Sequence, residues 1–151
     1  MGMTIDETTE PRAGIKQSSV LAWLRLLRVF HKVERRLQDH CRESDLSLAQ
    51  FDVLAHVGAN EGMTQQQLAD ALLVTKGNVC QILDRMECTG TLERRQEGRA
   101  NRLFLTGKGR DLFAMTVPAH EACLAAAFTG LEAEEQTQLL HLLRKLDRSL
   151  D

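Results

Sequence analysis

Aromatic residues are scarce in this 151-residue chain, 4% against 43% hydrophobic in total, and tyrosine is absent. A core with so few rings has to be filled by aliphatic side chains, and the abundance of Leu and Ala points to a mainly helical protein. No stretch approaches the roughly 18 consecutive apolar residues that a membrane-spanning helix needs, and no signal peptide precedes the body. The expectation is a soluble, cytoplasmic protein with no membrane partner. The four cysteines, Cys41, Cys80, Cys88 and Cys123, show no CxxC spacing, so free thiols in a reducing compartment are expected. Catalytic signatures are missing as well. There is no phosphate-binding glycine loop, no nucleophile elbow and no His–Glu metalloprotease motif, so the chain does not read as an enzyme. His120 and Cys123 have the i, i+3 spacing that can chelate a metal, but the sequence clusters no third or fourth ligand with them. Neither a metal nor a cofactor is expected.

Net charge is also small, −2 over the whole chain, and by itself speaks weakly against a nucleic-acid partner. Its distribution says otherwise. Residues 94–110 carry six basic side chains (Arg94, Arg95, Arg99, Arg102, Lys108, Arg110) and one acid, Glu97, whereas residues 111–151 carry three basic and seven acidic ones. Positive charge is gathered into one short segment.

That segment ends the most informative stretch, TQQQLADALLVTKGNVCQILDRMECTGTLERRQEGRANRLFLT, from Thr64 to Thr106. Thr64 with Gln67 three residues on is a capping box, opening a first helix. A second helix begins after Val74 and Thr75 and places Val79, Ile82, Leu83 and Met86 on one apolar stripe. Its other face carries Lys76, Gly77, Asn78, Gln81, Asp84 and Arg85, a polar and partly basic surface suited to a major groove. Gly90 stops the helix, Leu92–Arg95 reads as a strand, Gly98 turns it, and Arg102–Leu105 reads as the returning strand. The economical reading is all-α with a small β-wing: a winged helix-turn-helix, built for double-stranded DNA.

The flanks read as long helices. Ser18 and Ser19 cap one running to about Cys41, with Val20, Leu24, Leu27, Phe30, Val33 and Leu37 as the stripe to be buried. Ser47 and Gln50 form a second capping box, opening a helix through Phe51, Leu54, Ala55 and Val57 to Gly58. Thr106 caps a long helix to about Phe128, in which Pro118 predicts a kink or an irregular turn. The last helix, about 133–149, carries Leu139, Leu140, Leu142, Leu143 and Leu146, more leucine than one packed face needs. A small winged core cannot cover both terminal helices, and an uncovered stripe marks an interface. The expectation is a two-fold homodimer through the N- and C-terminal helices, reading a pseudo-palindromic site. The chain thus divides into a tail over 1–17, dimerisation helices over 18–46 and 107–151, and a winged helix-turn-helix lobe over 47–106.

Taken in order, DLSLAQFDVL, MTQQQLADALLVTKGNVCQILDRMECTG, LERR and RLFLTGKGR resemble the MarR family of bacterial transcriptional regulators, over about residues 18–150. The most specific elements are Asn78, Val79, Asp84, Arg85 and Glu87, followed by Leu105, Thr106, Lys108 and Gly109. The resemblance implies an obligate homodimer, usually a repressor, often released from DNA by small phenolic or aromatic acids or by thiol oxidation. Arg99 matches the wing-tip arginine that resembles a minor-groove probe. The wing tip Arg95-Gln96-Glu97-Gly98-Arg99 is shorter than the family's, and the last helix begins after Leu131-Glu132 rather than Ser or Thr.

The candidate DNA-contacting residues are Thr75, Lys76, Asn78, Gln81, Arg85, Arg95, Arg99 and Arg102. Lys matches guanine acceptors and the Gln or Asn amide matches the adenine edge. Neighbouring strand residues face opposite ways, so Arg94 and Arg95 do not both reach DNA, and one can pair with Asp84, Glu87 or Glu93 instead. By resemblance, a small aromatic acid would sit between the dimer helices and the winged lobe, lined by Trp23, His31 and Phe51 with Arg28 as carboxylate partner. Plain core packing is the competing reading for Trp23 and Phe51. Two other functions compete: a thiol-based redox-sensing regulator using Cys80 or another cysteine, and a winged-helix protein-interaction module without DNA binding.

Overall fold

The structure is a computed structural model that describes residues 17–72 and 76–151. Helix α1 (Ser18–Arg42) is followed by α2 (Leu48–Ala59), α3 (Gln65–Leu72), α4 (Lys76–Cys88), β1 (Leu92–Glu97), β2 (Ala100–Leu105), α5 (Gly107–Ala127) and α6 (Ala133–Arg148). The chain divides into two compact units, residues 1–35 and residues 36–151.

The described part of the first unit is the opening of α1. Its apolar stripe was expected to be buried, yet Val20, Leu24 and Phe30 are exposed, together with Leu21, Trp23, Leu26 and Val29. Among the described residues of that unit, no second element covers a face of this helix. The only residue α1 buries is Cys41, near its end.

The second unit is built on local signals that the chain obeys closely. At the start of α2, Ser47 Oγ accepts from the Gln50 N–H and Gln50 Oε1 accepts from the Ser47 N–H, each at 3.0 Å. Thr64 and Gln67 repeat the exchange before α3, at 3.1 and 2.8 Å. Each box satisfies two amide donors that a helix start leaves without partners. The core gathers Val53, Leu54 and Val57 of α2, Leu68 and Ala69 of α3, Val79, Leu83 and Met86 of α4, and Leu92, Leu103 and Leu105 of the strands. Leu112 and Phe113 of α5 pack against it. The apolar stripe expected on α4 is therefore the face that α4 buries.

Strands β1 and β2 pair antiparallel from Leu92↔Leu105 to Glu97↔Ala100. The two-residue loop Gly98-Arg99 closes the ribbon, with Gly98 at φ +62° and Arg99 not at positive φ. Glycine first is the type II′ arrangement, whose twist matches that of the strands. On its other edge β2 is met by the segment before α3. Gly62 N–H donates to Leu103 O at 2.8 Å, Leu103 N–H donates to Met63 O at 2.9 Å, and Thr64 bridges Arg102. The base of the wing thus has three chain segments side by side.

Pro118 lies inside α5 without interrupting it. Proline removes one helical N–H and displaces the carbonyl four residues back; here Ala114, Met115, Pro118 and Ala119 are all exposed. Helix α6, lacking a Ser or Thr cap, is closed by Glu135, whose carboxylate accepts from the Glu132 N–H at 2.8 Å. None of the residues of α6 is buried. Among the described residues, no helix is long and apolar enough to cross a membrane.

Candidate nucleic-acid interface

Helix α4 presents a sharply divided surface. Val79, Leu83 and Met86 are buried and Ile82 is half-buried, while Gly77, Asn78, Gln81 and Arg85 are exposed. Asn78, Gln81 and Arg85 follow one another at steps of three and four, which sets them along one helix face. Lys76 opens α4, and Thr75 lies outside the described residues. The side chains of Gln81 and Arg85 make no hydrogen bond or ion pair among the described residues, so both are available to a ligand. Cys80, expected on the polar face beside Gln81, is half-buried, and its sulfur accepts a hydrogen bond from Gln65 Nε2 at 2.6 Å. Gln65 is itself buried, so this contact ties α3 to α4.

The four arginines of the wing are in four different situations. Arg94 sends its guanidinium to Asp84 and Glu87, both on α4. The hydrogen bond to Glu87, and then Asp84, hold its pKa above the ordinary arginine value against the opposing effect of burial. Arg95 faces the other way, pairs with Glu93 and lies over the Phe104 ring at 4.2 Å. Both arginines that were to divide between DNA and carboxylates therefore have an acidic partner. Arg102 donates to the Gly62 carbonyl at 2.8 Å, and its Nε meets the Glu97 carboxylate as an ion pair without hydrogen-bond alignment. Arg99, in the loop, is exposed and has no partner among the described residues. Of the wing cations expected at DNA, Arg99 is free, whereas Arg95 and Arg102 would have to exchange existing contacts.

Gly90 ends α4 as expected, but the tie from α5 that holds this end was not foreseen. Thr91 N–H donates to Met86 O and Gly90 N–H to Glu87 O, both at 3.0 Å, the paired bonds of a Schellman stop. Lys108 Nζ then donates to Thr89 O at 2.8 Å, and Thr106 Oγ1 donates to Gly90 O. A cation at a helix C-terminus meets both the free carbonyls and the negative end of the dipole. Gly109 lies so close that a Cβ there would stand 1.9 Å from Thr91 O. The start of α5 is thereby clamped on the end of α4. A lysine two residues beyond a Thr cap was the available signal, but its target lies 19 residues away in sequence.

The candidate ligand residues are divided between the two units. Trp23 and His31 are exposed on α1, His31 within 3.6 Å of Glu34, and Arg28 is half-buried. Phe51 is buried in the second unit and stacks on the His120 ring, with centroids 3.8 Å apart. His120 Nδ1 is 3.9 Å from Cys41 Sγ. Burial raises the pKa of the Cys41 thiol, with Asp52 and Cys123 adding to the effect, so it stays protonated and inert. Among the described residues, no group of three His, Cys, Asp or Glu side chains could hold a metal ion.

The MarR family model matches residues 44–102, from the loop after α1 into β2. An HTH-type transcriptional regulator of Bacillus cereus is 31% identical over 129 residues, spanning 85% of this chain and 88% of its own. Among solved structures, a mutant MarR from Escherichia coli complexed with operator DNA is similar at 26% identity and TM-score 0.76, covering 85% of this chain and 95% of that one. BpsR of Bordetella bronchiseptica, whose DNA binding is regulated by 6-hydroxynicotinic acid, is similar at 25% identity and TM-score 0.76, covering 85% and 98%. The chain belongs to the MarR family of transcriptional regulators, winged-helix DNA-binding proteins rather than enzymes.

Proposed function

We propose that this protein is a homodimeric repressor that reads a pseudo-palindromic operator and is released from it by a small aromatic or phenolic acid. The observation that carries the reading is the exposed row Asn78, Gln81 and Arg85 on α4, beside a wing whose tip holds the unpaired Arg99. Helix α4 would enter the major groove and Arg99 would meet the backbone or minor groove. Lys76 and Thr75 would add phosphate contacts at the helix start. The operator complex of the Escherichia coli relative and the 6-hydroxynicotinic acid regulation of BpsR support the DNA and ligand parts of the proposal. The work is divided as the sequence suggests. Residues 47–106 read DNA, 18–46 and 107–151 pair the two copies, and the protein acts in the cytoplasm; of the tail expected over 1–17, residues 1–16 lie outside the described residues.

Selecting bound duplexes from a random pool tests this directly, followed by a panel of aromatic acids screened for release. A recovered inverted repeat is expected, and recovery of no sequence would leave only a protein-interaction module. Gln81→Ala should then cost about 1–3 kcal/mol on the selected duplex and little on random DNA. Lys76→Ala should weaken both. Equal losses for Gln81→Ala on the two duplexes would move the base contact to Asn78.

A further inference from the structure

Leu92, Leu103 and Leu105 lie on the inner face of the wing and are buried in the core. Arg94 pairs with Leu103 across the ribbon, and partners in an antiparallel pair project from the same face. Arg94 is therefore the next inner-face residue at the point where the apolar core ends. In place of an apolar contact it carries a guanidinium that reaches across to α4, Nε to Glu87 and Nη2 to Asp84. Its side chain is only 21% exposed, against 61% for Arg95. Beyond this rung, Arg95, Gln96, Glu97, Gly98, Arg99 and Asn101 are all exposed and Arg102, on the outer face, is held by the Gly62 carbonyl, so no apolar core fixes the direction of the outer wing.

We propose that Arg94 is a positioning residue that sets the angle of the wing against α4, and that any contact Arg99 makes with DNA depends on it. A planar fork spanning two carboxylates one helical turn apart fixes direction as well as distance, which a single point charge does not. The same contact neutralises two acids at the margin of the DNA-facing surface. The proposal rests on the reading of α4 and the wing as the DNA face, and the experiment below separates the failure of one from the failure of the other.

Binding of the full-length protein to a mixed-sequence duplex is measured over a series of salt concentrations, with folding checked by circular dichroism. Arg99→Ala should flatten the log–log slope by about 0.9 for each phosphate that is no longer neutralised. Arg94→Ala should flatten it equally, and the double variant should be no flatter than either single one. Asp84→Asn with Glu87→Gln leaves the Arg94 charge in place but removes its anchors. It should reproduce the same flattening, and it carries the test should Arg94→Ala fail to fold. Arg94→Lys should recover only part of the slope.

Additive flattening in the Arg94→Ala, Arg99→Ala double variant would show that Arg94 acts independently of Arg99. A normal slope for the Asp84, Glu87 variant would show that the wing holds without this anchor. Full recovery by Arg94→Lys would reduce the role of Arg94 to neutralising two acids. Each of these results overturns the proposal while leaving the DNA face intact. An unchanged slope in Arg99→Ala would overturn the DNA-face reading and the proposal together.

Discussion

From α2 to β2, Leu54, Leu68, Leu83, Leu92, Leu103 and Leu105 are 0–2% exposed, whereas Leu140, Leu142, Leu143 and Leu146 of α6 are 38–54% exposed. The residue type is the same in both regions; the neighbours differ. In the winged lobe, three short helices, a ribbon and the start of α5 converge on one cluster. Helix α6 buries none of its residues, and the opening of α1 exposes Trp23 at 57% and Phe30 at 56%. An apolar stripe of this size left in water is a standing cost, of roughly 25 cal/mol for each Å² uncovered. The comparison separates leucines that fold the chain from leucines that would join two chains, and it supports the homodimer proposed above.

Substitution should separate the two groups cleanly. Leu54→Ala removes a fully buried side chain and should cost about 2–5 kcal/mol in unfolding free energy. A loss under about 0.5 kcal/mol, the usual surface value, would mean that the lobe is not the core of the molecule. Leu142→Glu lies on the exposed stripe and should leave the fold of one copy nearly unaltered. On a covered interface it should weaken the dimer by about 2 kcal/mol, roughly thirtyfold in dissociation constant. Sedimentation at several protein concentrations reads that shift. A dimer equally tight in the Leu142→Glu variant would show that α6 is not part of its interface.

What the sequence made legible follows the range of the interactions. The boxes Ser47/Gln50 and Thr64/Gln67 bond across three residues, so their residue types sufficed to place the starts of α2 and α3. The buried stripe of α4 and the Gly98 turn were legible for the same reason. The addition of residues 62–64 to β2 was not, because a bond such as Gly62 to Leu103 carries no local signal. At the candidate site, composition found the arginines but could not give each its task. Arg94, Arg95 and Arg102 have the same chemistry, and only strand alternation and the positions of Asp84, Glu87, Glu93, Glu97 and Gly62 distinguish them. Helical periodicity found the stripe on α1 but not its cover, because amphipathicity shows that a face seeks a partner without showing which chain supplies it.

The smallest expected effect comes from the place where the end of α1 meets α2 and α5. His120 of α5 is buried, stacked on Phe51 of α2, with Cys41 Sγ 3.9 Å from Nδ1 and the His40 ring 6.3 Å away. Its pKa is lowered, first by burial and then by His40, with Glu121 working weakly in the opposite direction. Cys41 stays a neutral thiol and supplies no counter-charge, because burial, Asp52 and Cys123 all raise its pKa. The unfolded chain, with histidine near its ordinary value of about 6.5, therefore binds more protons than the folded one at mildly acid pH. Stability from this site is complete above about pH 6.5, falls as the pH drops through that value, and stops falling below the lowered folded pKa. Denaturant midpoints measured across about pH 5–8 should decline on the acid side for the wild-type chain and decline less for His120→Gln. His40→Gln should also shrink the decline, since it removes one of the two causes that lower the His120 pKa. Identical pH dependence in all three proteins would mean that His120 titrates alike in the folded and unfolded chains, and that the junction of α1, α2 and α5 is open to water.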